Sequence, residues 1–586
     1  MSFYSRLFVL AVSLPAFLSV LVFWEDDPPT SFAAESNYQA ASAAFEKREE
    51  AYRANNLGVA LLEQFNHKEA AEQFRRALAT APGLKIAQIN LAIALYNVPD
   101  YDAALTEAQK AAAVAPDRPQ PFYILGLLAR ARNRTDDADE YFKKVLEFDA
   151  EDVGANVNLG QIRVQRREYS EAADVFRRAA RAEPYNATAL YNLATALLRG
   201  ENSERAEGQQ LMARFQTLRQ SGAATNIGLN YLEQGRYAEA IVSTGAESDL
   251  VDRAAPQVVF QNLNVGLPIP RRSEINLKSS AKKPFPRLSQ SGGTLFDYDN
   301  DGDLDLAFIV ADSNNNKPAI RLFRNHEGRF HTRFRASGDS LKPLADLGCG
   351  LISGDYDNDG FADLRVFGSG QTTLFRNTGK GAFQNVTASA KLGKQPSVSL
   401  SGAFVDADHD GDLDIFLGGF QENAKLSEKS APNQLWRNNG DGTFTDISIA
   451  AKINASSRAV AVVPTDFDNR RDVDLLVLNY GAAPQLWQNL RDTTFRNVAT
   501  EVGLTKAAKW ISAAAGDFNK DSFTDFFFGR ENEAGVFAVS DGRGKFVLND
   551  APRGTENAAA AQFLDYDNDG LLDLIANTDK GFVVAR

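Results

Sequence analysis

The stretch that decides the fold of the carboxyl-terminal half is DYDNDGDLDL, residues 297–306. It sets Asp297, Asp299, Asp301, Asp303 and Asp305 in nine consecutive positions. Like unit charges about 4 Å apart near a protein surface repel by about 4 kcal/mol, a sizeable part of a domain stability of about 5–15 kcal/mol. A folded chain holds such a loop only with a counterion. The spacing D-x-D-x-D-G-x-x-D puts carboxylates at positions 1, 3, 5 and 9, a backbone carbonyl at position 7, and glycine at position 6, where the chain turns sharply. Hard oxygen donors without nitrogen or sulfur select calcium over transition metals.

The motif recurs in full at Asp355, Asp357, Asp359 and Asp363; at Asp406, Asp408, Asp410 and Asp414; and at Asp565, Asp567, Asp569 and Asp573. A fifth copy reads Asp517, Asn519, Asp521 and Asp525, with Ser522 in place of glycine, and weaker binding is expected there. Beside Asp466, Asp468 and Asp474 the fifth position is Arg470, whose guanidinium can stand in for an ion. One copy alone could be a solvated acidic turn, whereas four intact copies in register favour calcium. The carboxylates would satisfy the ion and leave no open position for chemistry, so four or five structural Ca²⁺ are expected.

The units begin at Asp297, Asp355, Asp406, Asp466, Asp517 and Asp565, which are 58, 51, 60, 51 and 48 residues apart. That is the size of a four-stranded propeller blade. In the third unit the β-prone runs SGAFVD, DLDIFLG, NQLWRN and GTFTDISI are separated by turns rich in Asn, Asp and Gly. Such repeats resemble the FG-GAP/VCBS family of integrin-alpha-like propellers, and their F-x-[ND]-hydrophobic tails are similar to those of ASPIC/UnbV-type proteins. The resemblance covers residues 256–586 and implies a calcium-binding β-propeller. The last unit offers AAAQFLD, LLDLIAN and GFVVAR but no fourth run. A strand donated from Val258, Val259, Phe260, Gln261 and Asn262 would close six blades and leave no free edge; a longer chain with seven blades is the alternative.

The amino-terminal half repeats on another period. Leu57, Leu91, Leu125, Leu159, Leu193 and Ile227 are 34 residues apart, and each is followed by Gly or Ala. Ala70, Ala104, Ala138, Ala172, Ala206 and Ala240 keep the same period, with Pro82, Pro116 and Pro184 near its end. This resembles the tetratricopeptide (TPR) family, whose unit is a helical hairpin. Small residues bring the two helices close, Phe74, Phe142 and Phe176 fill the seam, and proline stops the second helix. Six hairpins would stack into a solenoid with a concave face.

One position before the periodic hydrophobe stand Asn56, Asn90, Ile124, Asn158, Asn192 and Asn226. An asparagine amide offers an acceptor and donors that match the N–H and C=O of a peptide unit without reading its side chain. The ladder is similar to that of the O-GlcNAc transferase TPR superhelix, and it marks Asn56, Asn90, Asn158, Asn192 and Asn226 as peptide-binding; the alternative is that these residues only cap or space hairpins.

The whole chain has 586 residues, net charge −13 and one cysteine. Two or three domains fit that length. The charge disfavours nucleic acid, which needs a clustered basic surface, and a lone cysteine excludes a disulfide framework. Residues 7–24, LFVLAVSLPAFLSVLVFW, are uncharged, long enough to cross a bilayer, and followed by Glu25, Asp26 and Asp27. The expected organisation is a membrane anchor or signal segment at 1–24, a linker at 25–36, a TPR solenoid at 37–246 and the propeller at 247–586. The expected location is extracytoplasmic, periplasmic or cell-surface, on a single N-terminal transmembrane helix, or secreted if that segment is cleaved. The expected function is a non-enzymatic membrane-tethered scaffold with a protein or peptide partner in the groove and a second protein or a glycan on the propeller. A lectin-like propeller, or less favourably a polysaccharide lyase, is the alternative.

Overall fold

The structure, a computed structural model, describes residues 35–200, 202–221, 224–244, 292–311, 318–326, 329–331, 341, 348–368, 372–379, 382–393, 398–420, 431–567 and 569–586. The chain divides into two compact units, one helical and one β-rich.

Each of the first five 34-residue periods folds as a pair of helices. They are α1 (Glu35–Glu63) with α2 (His67–Thr80), α3 (Lys85–Asn97) with α4 (Tyr101–Val114), α5 (Gln120–Ala131) with α6 (Thr135–Phe148), α7 (Val153–Gln165) with α8 (Tyr169–Ala182), and α9 (Ala187–Arg199) with α10 (Arg205–Ser221). The starts of α4, α7 and α9 are fixed by Asp100, Asp152 and Asn186, whose side chains accept the N–H of Ala103, Ala155 and Ala189. Pro82, Pro116 and Pro184 stand two residues beyond the ends of α2, α4 and α8.

The seam explains the period. A Cβ added to Gly58 would lie 2.5 Å from Phe74, one on Gly126 2.8 Å from Phe142, and one on Gly160 2.5 Å from Phe176. Where the first helix carries Ala92 instead, the second carries Ala108, so added volume on one helix is matched by lost volume on the other.

The sixth expected hairpin is not helical. Residues 224–244 hold only two short 3-10 turns, Tyr231–Glu233 and Arg236–Ala238, and otherwise run without regular structure. Asn226 is therefore not on a first helix, and its side chain is exposed.

The β-rich unit is a succession of antiparallel sheet units, the fourth and fifth of which are joined into one eight-stranded sheet where Tyr480 pairs with Lys509 and Ala482 with Ala508. Five have four main strands: Gly293–Phe296, Asp305–Ala311, Pro318–His326 and Arg329–His331; Gly348–Gly354, Asp363–Gly368, Thr373–Asn377 and Phe383–Asn385; Val398–Val405, Asp414–Phe420, Gln434–Asn438 and Phe444–Asp446; Ala459–Thr465, Asp474–Ala482, Gln485–Asn489 and Phe495–Asn497; and Ala508–Gly516, Asp525–Arg530, Glu533–Ser540 and Phe546–Asp550. The sixth has three, Ala560–Leu564, Asp573–Thr578 and Gly581–Ala585. The strand expected at 258–262 to complete it lies outside the described residues.

Successive sheets pack face to face. Phe296, Ile309, Leu351 and Val366 join the first to the second; Phe367, Ile415 and Trp436 the second to the third; Phe416, Leu475 and Trp487 the third to the fourth; Leu476, Trp510 and Phe526 the fourth to the fifth; and Phe527, Phe563 and Leu574 the fifth to the sixth. Trp436 and Trp487 are core residues, as their strand positions imply. The second strand of an inner sheet is covered on both faces, so Asp363–Gly368, Asp414–Phe420 and Asp525–Arg530 are buried at every residue. That is why residues 415–420 and 526–529 read as unbroken apolar runs rather than alternating ones, with the buried Arg365 as the interruption in the second sheet.

The expectation of an extracytoplasmic chain held by one N-terminal transmembrane helix is corrected. Among the described residues no helix is long and apolar enough to cross a membrane. The 29-residue α1 has the length, but Glu46, Lys47, Arg48, Glu49, Glu50 and Arg53 interrupt it, and each charge is costly in hydrocarbon. Residues 7–24 lie outside the described residues.

Candidate functional site

Two arrangements stand out, one in each unit. In the helical unit the first helices carry Asn56 (α1), Asn90 (α3), Ile124 (α5), Asn158 (α7) and Asn192 (α9). Residues 224–244 cross these helices from α9 back to α1.

At the α9 end, Ala187 N donates to Thr225 O at 2.8 Å, Thr188 Oγ1 to Ile227 O at 3.2 Å, and Ile227 N back to Thr188 Oγ1 at 3.0 Å. In the middle, Tyr123 Oη donates to Gln234 O at 2.5 Å and Tyr237 Oη to Asp149 Oδ2 at 3.0 Å. At the far end Asn90 Nδ2 donates to Ile241 O and accepts Ile241 N at Oδ1, both at 2.7 Å. Asn56 treats Ser243 the same way, both bonds at 2.8 Å. Residues 241 and 243 are two apart, so an extended backbone turns the N–H and C=O of both to one edge.

Only part of the expected ladder meets this backbone. Asn158 Nδ2 donates to Gly154 O at 2.7 Å and contacts Tyr123 Oη at 3.4 Å, and its Oδ1 accepts from Arg130. Asn192 Nδ2 turns to Thr188 O on its own helix at 2.8 Å. Ile124 is buried in the core. The sequence reading missed Tyr123, Thr188, Asp149 and Asn55, whose Nδ2 also reaches Ile241 O at 3.1 Å. Tyr123 has a sequence signal, since it precedes the periodic Leu125 by two residues as a lone phenol in an apolar stretch.

In the β-rich unit each acidic loop joins the first two strands of its sheet. The position-1 carboxylate shapes the turn: Asp355 accepts the N–H of Asp359 at 3.1 Å and of Gly360 at 2.8 Å, and Asp297 and Asp565 do the same in their loops. Position 6 has φ between 85° and 90° at Gly302, Gly360, Gly411 and Gly570, a left-handed backbone that favours glycine; Ser522 and Arg471 are held there at 72° and 63°.

Position 9 ties the loop to its sheet. Asp305 accepts Tyr298 N and Asn325 N, Asp363 accepts Tyr356 N and Asn377 N, and Asp414 accepts Ala407 N and Asn438 N. Burial pushes Asp305 and Asp414 up to about 7, Asp363 up to about 8, and Asp525 and Asp573 up to about 6. Neighbouring loops lie side by side: Asn300 Nδ2 donates to Gly360 O and Asn358 Nδ2 to Asp412 Oδ1, both at 2.7 Å.

Within a loop the carboxylates converge. Asp297, Asp299 and Asp305, Asp355, Asp357 and Asp359, and Asp406, Asp408 and Asp410 each bring oxygens within 4.8 Å of one another. Asp357 Oδ1, Asp406 Oδ1 and Asp408 Oδ1 are buried and accept no hydrogen bond. Burial, with like-charged neighbours, raises Asp299, Asp357 and Asp408 above the ordinary carboxylate range. An all-oxygen set with partnerless buried oxygens fits a hard divalent cation. Asp303 groups instead with Asp301 and His326, a histidine the sequence pattern did not connect to the loop.

A guanidinium from the third strand of the same sheet also meets two of these loops. Arg324 lies 2.8 Å from Asp299 and 2.9 Å from Asp301, and Arg376 2.5 Å from Asp357 and 2.9 Å from Asp359. Arg586 treats Asp567 and Asp569 alike, at 3.0 and 2.7 Å. In the fourth loop Asp466, Asp468, Asp472 and Asp474 converge, Arg470 Nε is 3.5 Å from Asp468, and Arg491 Nε is 2.9 Å from Asp472. In the fifth loop Asn519 Oδ1 is turned to Asp521 N at 3.0 Å.

Comparison with known proteins agrees with both halves. Tetratricopeptide repeat models match residues 51–81, 89–153 and 157–217, and a model described as an FG-GAP-like repeat matches 297–366, 355–417, 426–477 and 466–528. Cartilage acidic protein 1 of Xenopus tropicalis is 25% identical over 326 residues, which is 48% of this chain and 46% of that relative. The match thus spans less than half of the relative's length. Among solved structures, MamA of Desulfovibrio magneticus RS-1 is 17% identical, with 29% of this chain and 96% of MamA covered and a TM-score of 0.26. YrrB, described as a TPR protein with an unusual peptide-binding site, is 19% identical, with 32% of this chain and 94% of YrrB covered and a TM-score of 0.26. The chain is a fusion of tetratricopeptide repeats with FG-GAP-like repeats.

Proposed function

We propose that the protein is a non-catalytic scaffold: its TPR groove holds an extended peptide, and its β-rich half is a six-bladed, calcium-ordered propeller that docks a second protein. The observation that carries the reading is the geometry at Asn56 and Asn90. Each amide engages both polar groups of one backbone residue, which is how a groove binds a peptide without selecting its side chains.

The ion would be held by Asp297, Asp299, Asp301 and Asp305, by the corresponding aspartates of the second, third and sixth loops, and more weakly by Asp517, Asn519, Asp521 and Asp525. Calcium, when bound, supplies the positive charge that offsets carboxylate repulsion. The chain's own part is to aim the carboxylates: the position-1 residue bends the loop and the position-9 residue welds it to the strands.

Elemental analysis of folded full-length protein, together with capture of partners by the unaltered chain and by Asn56→Ala/Asn90→Ala, tests both halves. Several calcium ions per chain and a stoichiometric protein lost in the double variant are the expected results. Folded protein free of divalent metal would end the calcium half of the proposal, and capture that the double variant leaves intact would end the groove half.

A further inference from the structure

The residues that occupy the groove belong to the chain itself. Asn56 and Asn90 share four hydrogen bonds with the backbone of Ile241 and Ser243, donating two and accepting two, and the buried Tyr123 holds Gln234. Tyr231, Gln234, Tyr237 and Ala238 are themselves buried against the hairpins. Gly235 has φ +107°, and a Cβ there would lie 2.4 Å from Tyr123 Oη and 3.2 Å from Gly154 Cα, so the backbone crosses α7 at a place that admits only glycine.

We propose that this groove is a site for an extended segment of a partner protein, and that residues 224–244 are its resident occupant, which the partner's segment displaces. The inference rests on the scaffold reading above. The resident segment describes what the partner must present. Glycine must fall where Gly235 crosses Gly154. A tyrosine follows two residues on, as Tyr237 does, because Asp149 accepts the Tyr237 hydroxyl. Free N–H groups are needed four and six residues beyond the tyrosine, where Ile241 and Ser243 meet the two asparagines. At 241 and 243 the asparagines touch backbone only, whereas the buried positions 231, 234 and 238 also call for side chains that fit as Tyr231, Gln234 and Ala238 do.

Exchange makes a clear demand on affinity. A groove filled in cis is open for only a fraction of the time, and the apparent affinity for a free peptide falls by that fraction. Proline at 241 and 243 removes the two N–H groups that Asn90 and Asn56 accept, without touching α1–α10, and should open the groove.

The test uses the full chain and a labelled synthetic peptide of residues 224–244. The Ile241→Pro/Ser243→Pro chain is expected to bind the peptide at least about tenfold more tightly than the unaltered chain. Adding Asn56→Ala/Asn90→Ala should abolish that gain. Gly235→Val, which expels the segment by steric clash, provides a second open variant whose helix content and melting are checked beside the first. Equal binding by the unaltered chain and both open variants, or no binding by either open variant, would overturn the proposal. A dimer of the unaltered chain that the proline changes dissolve would overturn it too, since the occupant would then come from a second copy. None of these failures removes the scaffold reading, which is tested by partner capture.

Discussion

Asn90 and Ile241 exchange two hydrogen bonds of 2.7 Å each, so one side chain satisfies both polar groups of a backbone residue. Asn90 is fully buried. Asn90→Ala therefore leaves the N–H of Ile241 without its partner and its C=O with only the longer bond from Asn55 Nδ2, at a cost of about 1–3 kcal/mol. Hydrogen exchange should show the amides of 241 and 243 opening faster, while those of α5 to α8 keep their rates. Unchanged protection at Ile241 would mean that the amide contributes nothing to holding the segment.

Gly126 and Phe142 form a pair of the same kind in the hairpin seam. A methyl on Gly126 would sit 2.8 Å from the ring, so Gly126→Ala is destabilising by about 1–3 kcal/mol. Phe142→Ala should cost about 3–5 kcal/mol through the cavity it leaves. The double change recreates the Ala92 and Ala108 pairing of the neighbouring hairpin, and its cost should fall well short of the sum. Chemical denaturation followed by helix content measures all three, and strict additivity would contradict the seam.

That pairing shows why the helical repeat is legible in the sequence: the glycine and the phenylalanine touch within one hairpin, 16 residues apart at Gly126 and Phe142, so the constraint recurs with the period. The acidic loops are legible for a similar reason, because the turn, its glycine and its carboxylates are contiguous. The sixth period is where this logic fails. Ile227, Gly228 and Ala240 keep the hairpin pattern, yet Ile227, Ile241 and Ser243 send their N–H groups to Thr188, Asn90 and Asn56. A local pattern does not reveal a groove 39 to 187 residues upstream that competes for the same backbone. The ladder was half legible: the sequence places Asn158 and Asn192 on the right helices, but their side chains bond to carbonyls one turn back. His326 was hidden because its strand meets the first loop only through sheet pairing.

Asp152 gives the helical unit a pH dependence. Burial pushes its carboxyl up to about 7, against the Ala155 N–H and the Arg236 charge that favour the anion, while Asp149 and Glu183 add to the rise. In the unfolded chain the group titrates near about 3.9. The native state therefore holds the extra proton between those values, so this contribution to stability is full below about pH 4 and is lost as pH rises through about 7. Asp152→Asn retains a capping oxygen and cannot ionise. Relative to the unaltered chain it should gain on the order of 2 kcal/mol between pH 5 and pH 8. Thermal unfolding of the helices across that range decides the matter: a gap that stays constant or narrows rules out the buried charge as its cause.

Asp357 and Asp363 belong to one loop but do different work, and substitution separates them. Asp363 accepts two backbone N–H groups, from Tyr356 at 3.2 Å and Asn377 at 2.7 Å, and is buried. Asp363→Ala should destabilise the second sheet by about 2–5 kcal/mol even in chelator, because both donors lose their acceptor. Asp357 has a buried oxygen without a hydrogen-bond partner and a guanidinium on the other. Asp357→Asn should leave melting in chelator nearly unchanged and weaken calcium binding about tenfold or more. Arg376 contacts Asp357 and Asp359 from the third strand, and its positive charge opposes a cation placed among them. Arg376→Gln should therefore strengthen calcium binding by about threefold to tenfold, most clearly at low ionic strength, where the repulsion is least screened. Calorimetric titration of the full chain reads both affinities; weaker binding by Arg376→Gln would show that the guanidinium positions the carboxylates for the ion rather than competing with it.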